Sequence, residues 1–126
     1  MLAKDLIASV IKTFFEELDD IRDGNRKVQV ESPYAEMYTS YFVKDRTWFM
    51  QADVKEITLF FADDPVYKLE MLVELLFRDA RKVADAEIQA AMYRKIIALY
   101  DVVDIRSQDF SLERMNRVAE LKRSLE

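Results

Sequence analysis

The chain has 126 residues, 51% of them apolar and 34% charged, with a formal net charge of −5. One Gly, two Pro, no Cys and no His exclude disulfide frameworks, thiolate metal sites, His-based acid–base catalysis and Gly-rich phosphate loops. The acidic balance makes nucleic acid and anionic membranes poor partners, because both call for a basic face.

The length and apolar fraction suit one domain over 1–126 with a single core. Turns draw on Gly, Pro and Asn, so their scarcity implies long helices and short loops. No stretch approaches the ~18 uninterrupted apolar residues of a membrane span. Lys4, Asp5 and Lys12 break the N-terminal apolar run that a leader peptide needs. A cytoplasmic protein without a cofactor is the expectation.

The first predicted helix covers 3–22. Ile7, Ile11, Phe14, Leu18 and Ile21 step by 4, 3, 4 and 3, a stripe suited to a bundle or a short coiled-coil seam. Val10 and Phe15 widen it, and Glu16, Glu17, Asp19, Asp20 and Asp23 line the opposite face. Gly24 fits a helix stop, and residues 25–33 read as an internal linker. Ser32-Pro33 supplies an N-cap and a first-position proline for a second helix ending near 44. After a break at Asp45-Arg46-Thr47, a third helix is predicted over 48–62. Asp63-Asp64-Pro65 repeats the capping signal and opens a fourth helix over 66–83. Its apolar register ends at Val83 and restarts at Ile88, and Asp85 is a suitable N-cap. A tight turn is therefore favoured over one continuous helix. The last helix opens at Ser111, with Phe110 and Met115 spaced as a hydrophobic staple. The expected architecture is all-α, an antiparallel bundle of about six helices.

The segment Ala90-Ala91-Met92-Tyr93-Arg94-Lys95-Ile96-Ile97-Ala98-Leu99 resembles the second helix of a tetratricopeptide unit. The preceding helix, with Leu69, Leu72, Leu75 and Leu76, stands in for the first. The resemblance covers about 38 of the 126 residues. The closing proline is missing, and no second copy of the unit is present. What the likeness implies is a repeat-like helical hairpin of the kind that serves as a protein-docking scaffold. The whole chain also resembles small helical proteins common in bacteria, which adds no mechanism.

Carboxylates are what remains for catalysis. Glu16 and Asp19, Glu17 and Asp20, and Asp101 and Asp104 are each three apart, hence on one helical face. Two such sets on facing helices would suit Mg²⁺, which prefers oxygen ligands. They resemble the acidic clusters of all-helical nucleotide pyrophosphohydrolases, and that likeness implies a metal set of Glu16, Glu17, Asp20, Asp101 and Asp104. The stronger signal is aromatic. Tyr34, Tyr38, Tyr41, Phe42, Trp48, Phe49, Phe60 and Phe61 fall within one short stretch. The helices of a small bundle need bulky core filler. Tyr and Trp are also enriched where one end is buried and the other wet, notably at interfaces, so core and interface both remain open for this segment. Two readings follow. The favoured one is a non-catalytic interaction or scaffold domain, a homodimer or a docking partner for another protein. Its interface is assigned to Tyr34, Tyr38, Tyr41, Phe42, Trp48 and Phe49, with the first helix as a second self-pairing surface. The alternative is the Mg²⁺-dependent nucleotide hydrolase.

Overall fold

In the computed structural model the described residues are 2–23 and 32–126, with side chains from residue 6 onward. The Gly24 stop and the linker up to residue 31 lie outside them. Among the described residues there are seven helices and no strand: α1 (Leu2–Arg22), α2 (Ala35–Phe42), α3 (Arg46–Gln51), α4 (Val54–Phe60), α5 (Val66–Arg81), α6 (Ala86–Ser107) and α7 (Leu112–Ser124). None of these helices is long and apolar enough to cross a membrane.

The bundle has one helix more than the periodicity predicts, because 48–62 is two helices. Asp53 is extended (φ −82°, ψ 173°) and interrupts the run. Its carboxylate accepts the Glu56 N–H at 2.8 Å, and the Glu56 carboxylate accepts the Asp53 N–H at 3.2 Å. This reciprocal capping box satisfies two backbone donors that a helix start leaves orphaned, and such caps contribute about 1 kcal/mol. Asp45 starts α3 in the same way, accepting the Trp48 N–H at 2.8 Å.

Other ends follow the sequence signals more closely. Asp85 accepts the N–H groups of Glu87 and Ile88 at 2.9 and 3.1 Å, so 66–107 is two helices joined by a turn. Gln89 Nε2 ties that turn down by donating to the Ala80 carbonyl at 2.9 Å. Ser111 caps α7 by accepting the Arg114 N–H at 3.2 Å. The Phe110–Met115 staple buries little, since the two side chains are 79% and 50% exposed. Ser32 acts one turn before α2: its Oγ accepts the Tyr34 N–H at 3.1 Å, and the helix proper opens at Ala35. At the far end of α2, Val43 takes φ 74°, a conformation unusual for a β-branched residue.

The core is organised around α5. Leu69, Leu72, Val73, Leu75, Leu76 and Ala80 are buried, and α5 packs on α6, α1 and α2. From α6 come Met92, Ile96, Leu99 and Val103, from α1 Phe14, Leu18 and Ile21, and from α2 Met37 and Tyr38. Fully burying one such side chain contributes roughly 1.5–3 kcal/mol. Both α4 and α7 pack on α6, which places α5 and α6 at the centre of a single helical bundle.

Candidate functional site

The aromatic segment is largely interior. Tyr34, Tyr38, Phe42 and Phe49 are buried, while Tyr41 and Trp48 are half-buried. The rings contact one another: Phe49 lies 5.6 Å from Tyr38, 6.3 Å from Phe42 and 5.0 Å from Trp48, centroid to centroid. Phe61 joins the group at 5.9 Å from Phe42. The Phe42–Phe49, Phe42–Phe61 and Trp48–Phe49 pairs are edge-to-face, and such pairs add to area burial. The assignment of Tyr34, Tyr38, Phe42 and Phe49 to an exposed interface is therefore corrected. Short helices α2, α3 and α4 have few positions each, and these bulky rings fill the space among them, with α2 also packing on α5 and α4 on α6.

At the edge of that aromatic core sits a buried carboxylate. Asp79, on α5, accepts the Tyr38 hydroxyl at 2.6 Å and the Ser32 hydroxyl at 3.0 Å. Arg46 donates to it twice, through Nε at 2.8 Å and Nη2 at 3.2 Å. A buried charge persists only when paired and hydrogen-bonded, and a bidentate guanidinium is the geometry that does this well. Burial raises the Tyr38 hydroxyl well above the usual tyrosine range, and the charge and hydrogen bond of Asp79 push the same way. Among the described residues no buried side-chain polar atom lacks a partner.

The Asp79–Arg46 pair borders a cleft of about 750 Å³ between Ser32-Pro33, α3, the α5–α6 turn and α6. Met50, Val83, Ile88 and Met92 give it apolar walls, and Lys82 and Lys95 bring positive charge. Lys95 Nζ donates to the Phe49 and Met50 carbonyls at 2.9 and 3.0 Å, two of the acceptors that the C-terminus of α3 leaves open. Burial pushes the Lys95 ammonium below the usual lysine range, with the charges of Asp53 and Glu56 acting in the opposite sense. Nothing in the apolar periodicity announced the cleft. One signal for the carboxylate was present: Asp79 lies three residues after Leu76, on the apolar stripe of α5.

The acidic pairs do not converge. Glu16 faces Lys12 at 3.9 Å, Glu17 accepts the Tyr41 hydroxyl at 2.9 Å, and Asp104 accepts from Arg114 Nε at 2.7 Å. Asp20 and Asp101 are exposed. Among the described residues no group of three or more acidic side chains is placed to hold a metal ion. The five-carboxylate metal set is accordingly corrected: helical spacing placed each pair on one face of its own helix, and the fold does not bring the two helices' acidic faces together.

The remaining feature is α1. Its apolar stripe is buried at Phe14, Leu18 and Ile21, yet Leu6, Ile7, Val10 and Phe15 stay between 37% and 65% exposed. Ile11 and Phe15 also border a groove of about 660 Å³ whose other walls include Tyr67, Met71 and Arg117. Comparison with family models, with curated proteins and with solved structures finds no match for this chain.

Proposed function

We propose that this chain is a non-catalytic, cytoplasmic interaction domain that self-associates through the uncovered apolar face of α1. The half-covered stripe carries the reading. One end of the stripe is core, and the other reaches solvent at Ile7, flanked by the exposed Leu6 and Val10. A contiguous exposed apolar face marks an interaction site. The same face on a second copy is its simplest complement, because a two-fold pairing matches each patch with itself. The 4-3-4-3 spacing suits helix-on-helix packing of this kind. The α5–α6 hairpin, which carries the tetratricopeptide-like segment, supports the same class of function by presenting a rigid helical frame.

Sedimentation equilibrium across a range of concentrations tests the proposal. The native chain is expected to dimerise. Val10→Glu, which places a carboxylate on the face, is expected to weaken the dimer by about tenfold or more. Far-UV circular dichroism should be unchanged, since Val10 is not part of the core. A native chain that stays monomeric at every concentration overturns the reading.

A further inference from the structure

The cleft beside Asp79 has an unusual balance of charge. Two carboxylates border it, and both are engaged by groups of the chain. Asp79 is held by Arg46 in the bidentate pair, and Asp85 accepts the backbone N–H groups that open α6. The two lysines are different. Lys95 has only the Phe49 and Met50 carbonyls as partners. Lys82 has the Ile21 carbonyl at 3.5 Å and the face of the Tyr34 ring at 5.8 Å. Among the described residues neither ammonium has a carboxylate within ion-pair distance. An ammonium carries three donors, so each keeps hydrogen-bonding capacity beyond these contacts. Lys95 is also half-buried, and burial lowers its pKa against the opposing charges of Asp53 and Glu56.

Between these cations the walls are apolar: Met50, Val83, Ile88 and Met92. Methionine in two of these positions gives an adaptable surface. A volume of about 750 Å³ falls within the range of small-molecule sites. Apolar walls with a few convergent polar groups are the usual make-up of such sites. We infer that this cleft binds a small organic carboxylate with an apolar body, the carboxylate meeting Lys82 and the body lying on Met50, Ile88 and Met92. A polyanion such as a nucleotide is the poorer complement, because Asp79 and Asp85 border the same cleft and the walls offer little else polar.

Octanoate is the probe, followed by isothermal titration calorimetry and by backbone amide shifts in NMR. Octanoate is expected to saturate one site per chain and to shift amides at the α5–α6 turn and the end of α3. Octan-1-ol, which keeps the body and lacks the charge, should bind about tenfold more weakly, the scale of one charge-assisted hydrogen bond. Lys82→Met should lose affinity by about the same factor. Lys82 is exposed, so the fold should survive the change. Ala91→Trp, an exposed wall position, should close the cleft and abolish binding. Lys95→Met is less decisive because Lys95 also caps α3. No saturable binding of octanoate, equal binding of octan-1-ol, or octanoate affinity unchanged in Lys82→Met or in Ala91→Trp would each overturn the inference.

Discussion

Asp79 and Asp104 make the same contact in opposite surroundings. Each accepts an arginine Nε, Asp79 from Arg46 at 2.8 Å and Asp104 from Arg114 at 2.7 Å. By distance the pairs are equivalent. The Asp79 side chain is 2% exposed and that of Asp104 51%. Water screens the second and competes for it, whereas the first replaces lost hydration with four hydrogen bonds from three residues. An ion pair takes its energetic weight from its surroundings more than from its length. A buried carboxylate also fixes which donors must come together, while a surface pair tolerates substitution.

Breaking the buried pair should have the largest effect. Asp79→Ala removes the shared acceptor of Ser32, Tyr38 and Arg46, and is expected to destabilise the chain by about 3–5 kcal/mol in urea unfolding. A loss below about 1 kcal/mol would put Asp79 in the same class as a surface charge. Tyr38→Phe deletes one of the donors and keeps the ring; the expected cost is about 1–3 kcal/mol. It also changes the response to alkali. The folded-state Tyr38 hydroxyl titrates above the ordinary tyrosine value of 10.0, mainly through burial and then through Asp79. The stability that its neutral form contributes is therefore intact below pH 10.0 and is lost as pH rises toward the folded-state value. Lys95 has the opposite sign. Its lowered pKa is a penalty at neutral pH that is relieved as pH climbs toward the ordinary lysine value of 10.5. Native unfolding curves should steepen in their loss of stability above pH 10.0, and Tyr38→Phe should flatten that limb. An unaltered alkaline limb in Tyr38→Phe would detach it from this hydroxyl. The smallest effect is expected at the surface pair, where Asp104→Ala should move stability by no more than about 1 kcal/mol.

The helices were legible where a local signal sets the boundary. The stripe of α1, the Asp85 turn and the Ser111 cap depend on residues within a turn of one another, and the structure has all three. The split between α3 and α4 was written in the chain as Asp53 and Glu56, a capping box inside an apolar run, but the periodicity on either side hid it. The aromatic segment was visible as a segment, with core and interface both open. Whether Tyr38 is covered depends on α5, some 30 to 40 residues away along the chain, and spacing carries no information about that neighbour. The same limit applies to α1. Its stripe names a face, yet only the fold shows that the Phe14–Ile21 end is covered and the Leu6–Val10 end is not. The cleft was illegible altogether, since Lys82 just past α5 and Lys95 on α6 border one cavity only after the turn folds the chain back.

The sequence distances within the Asp79 cluster bear on the order in which the chain assembles. Its donors lie 47, 41 and 33 residues from it, whereas the α5–α6 hairpin closes through a short turn. Closing long loops carries an entropy cost before any contact repays it, so the hairpin is placed to form early and the Ser32–Arg46 segment to lock on late. Contacts made after the transition state act on the unfolding rate and leave the folding rate nearly unchanged. On that footing Asp79 governs how long a folded molecule survives and has little influence on how quickly one forms.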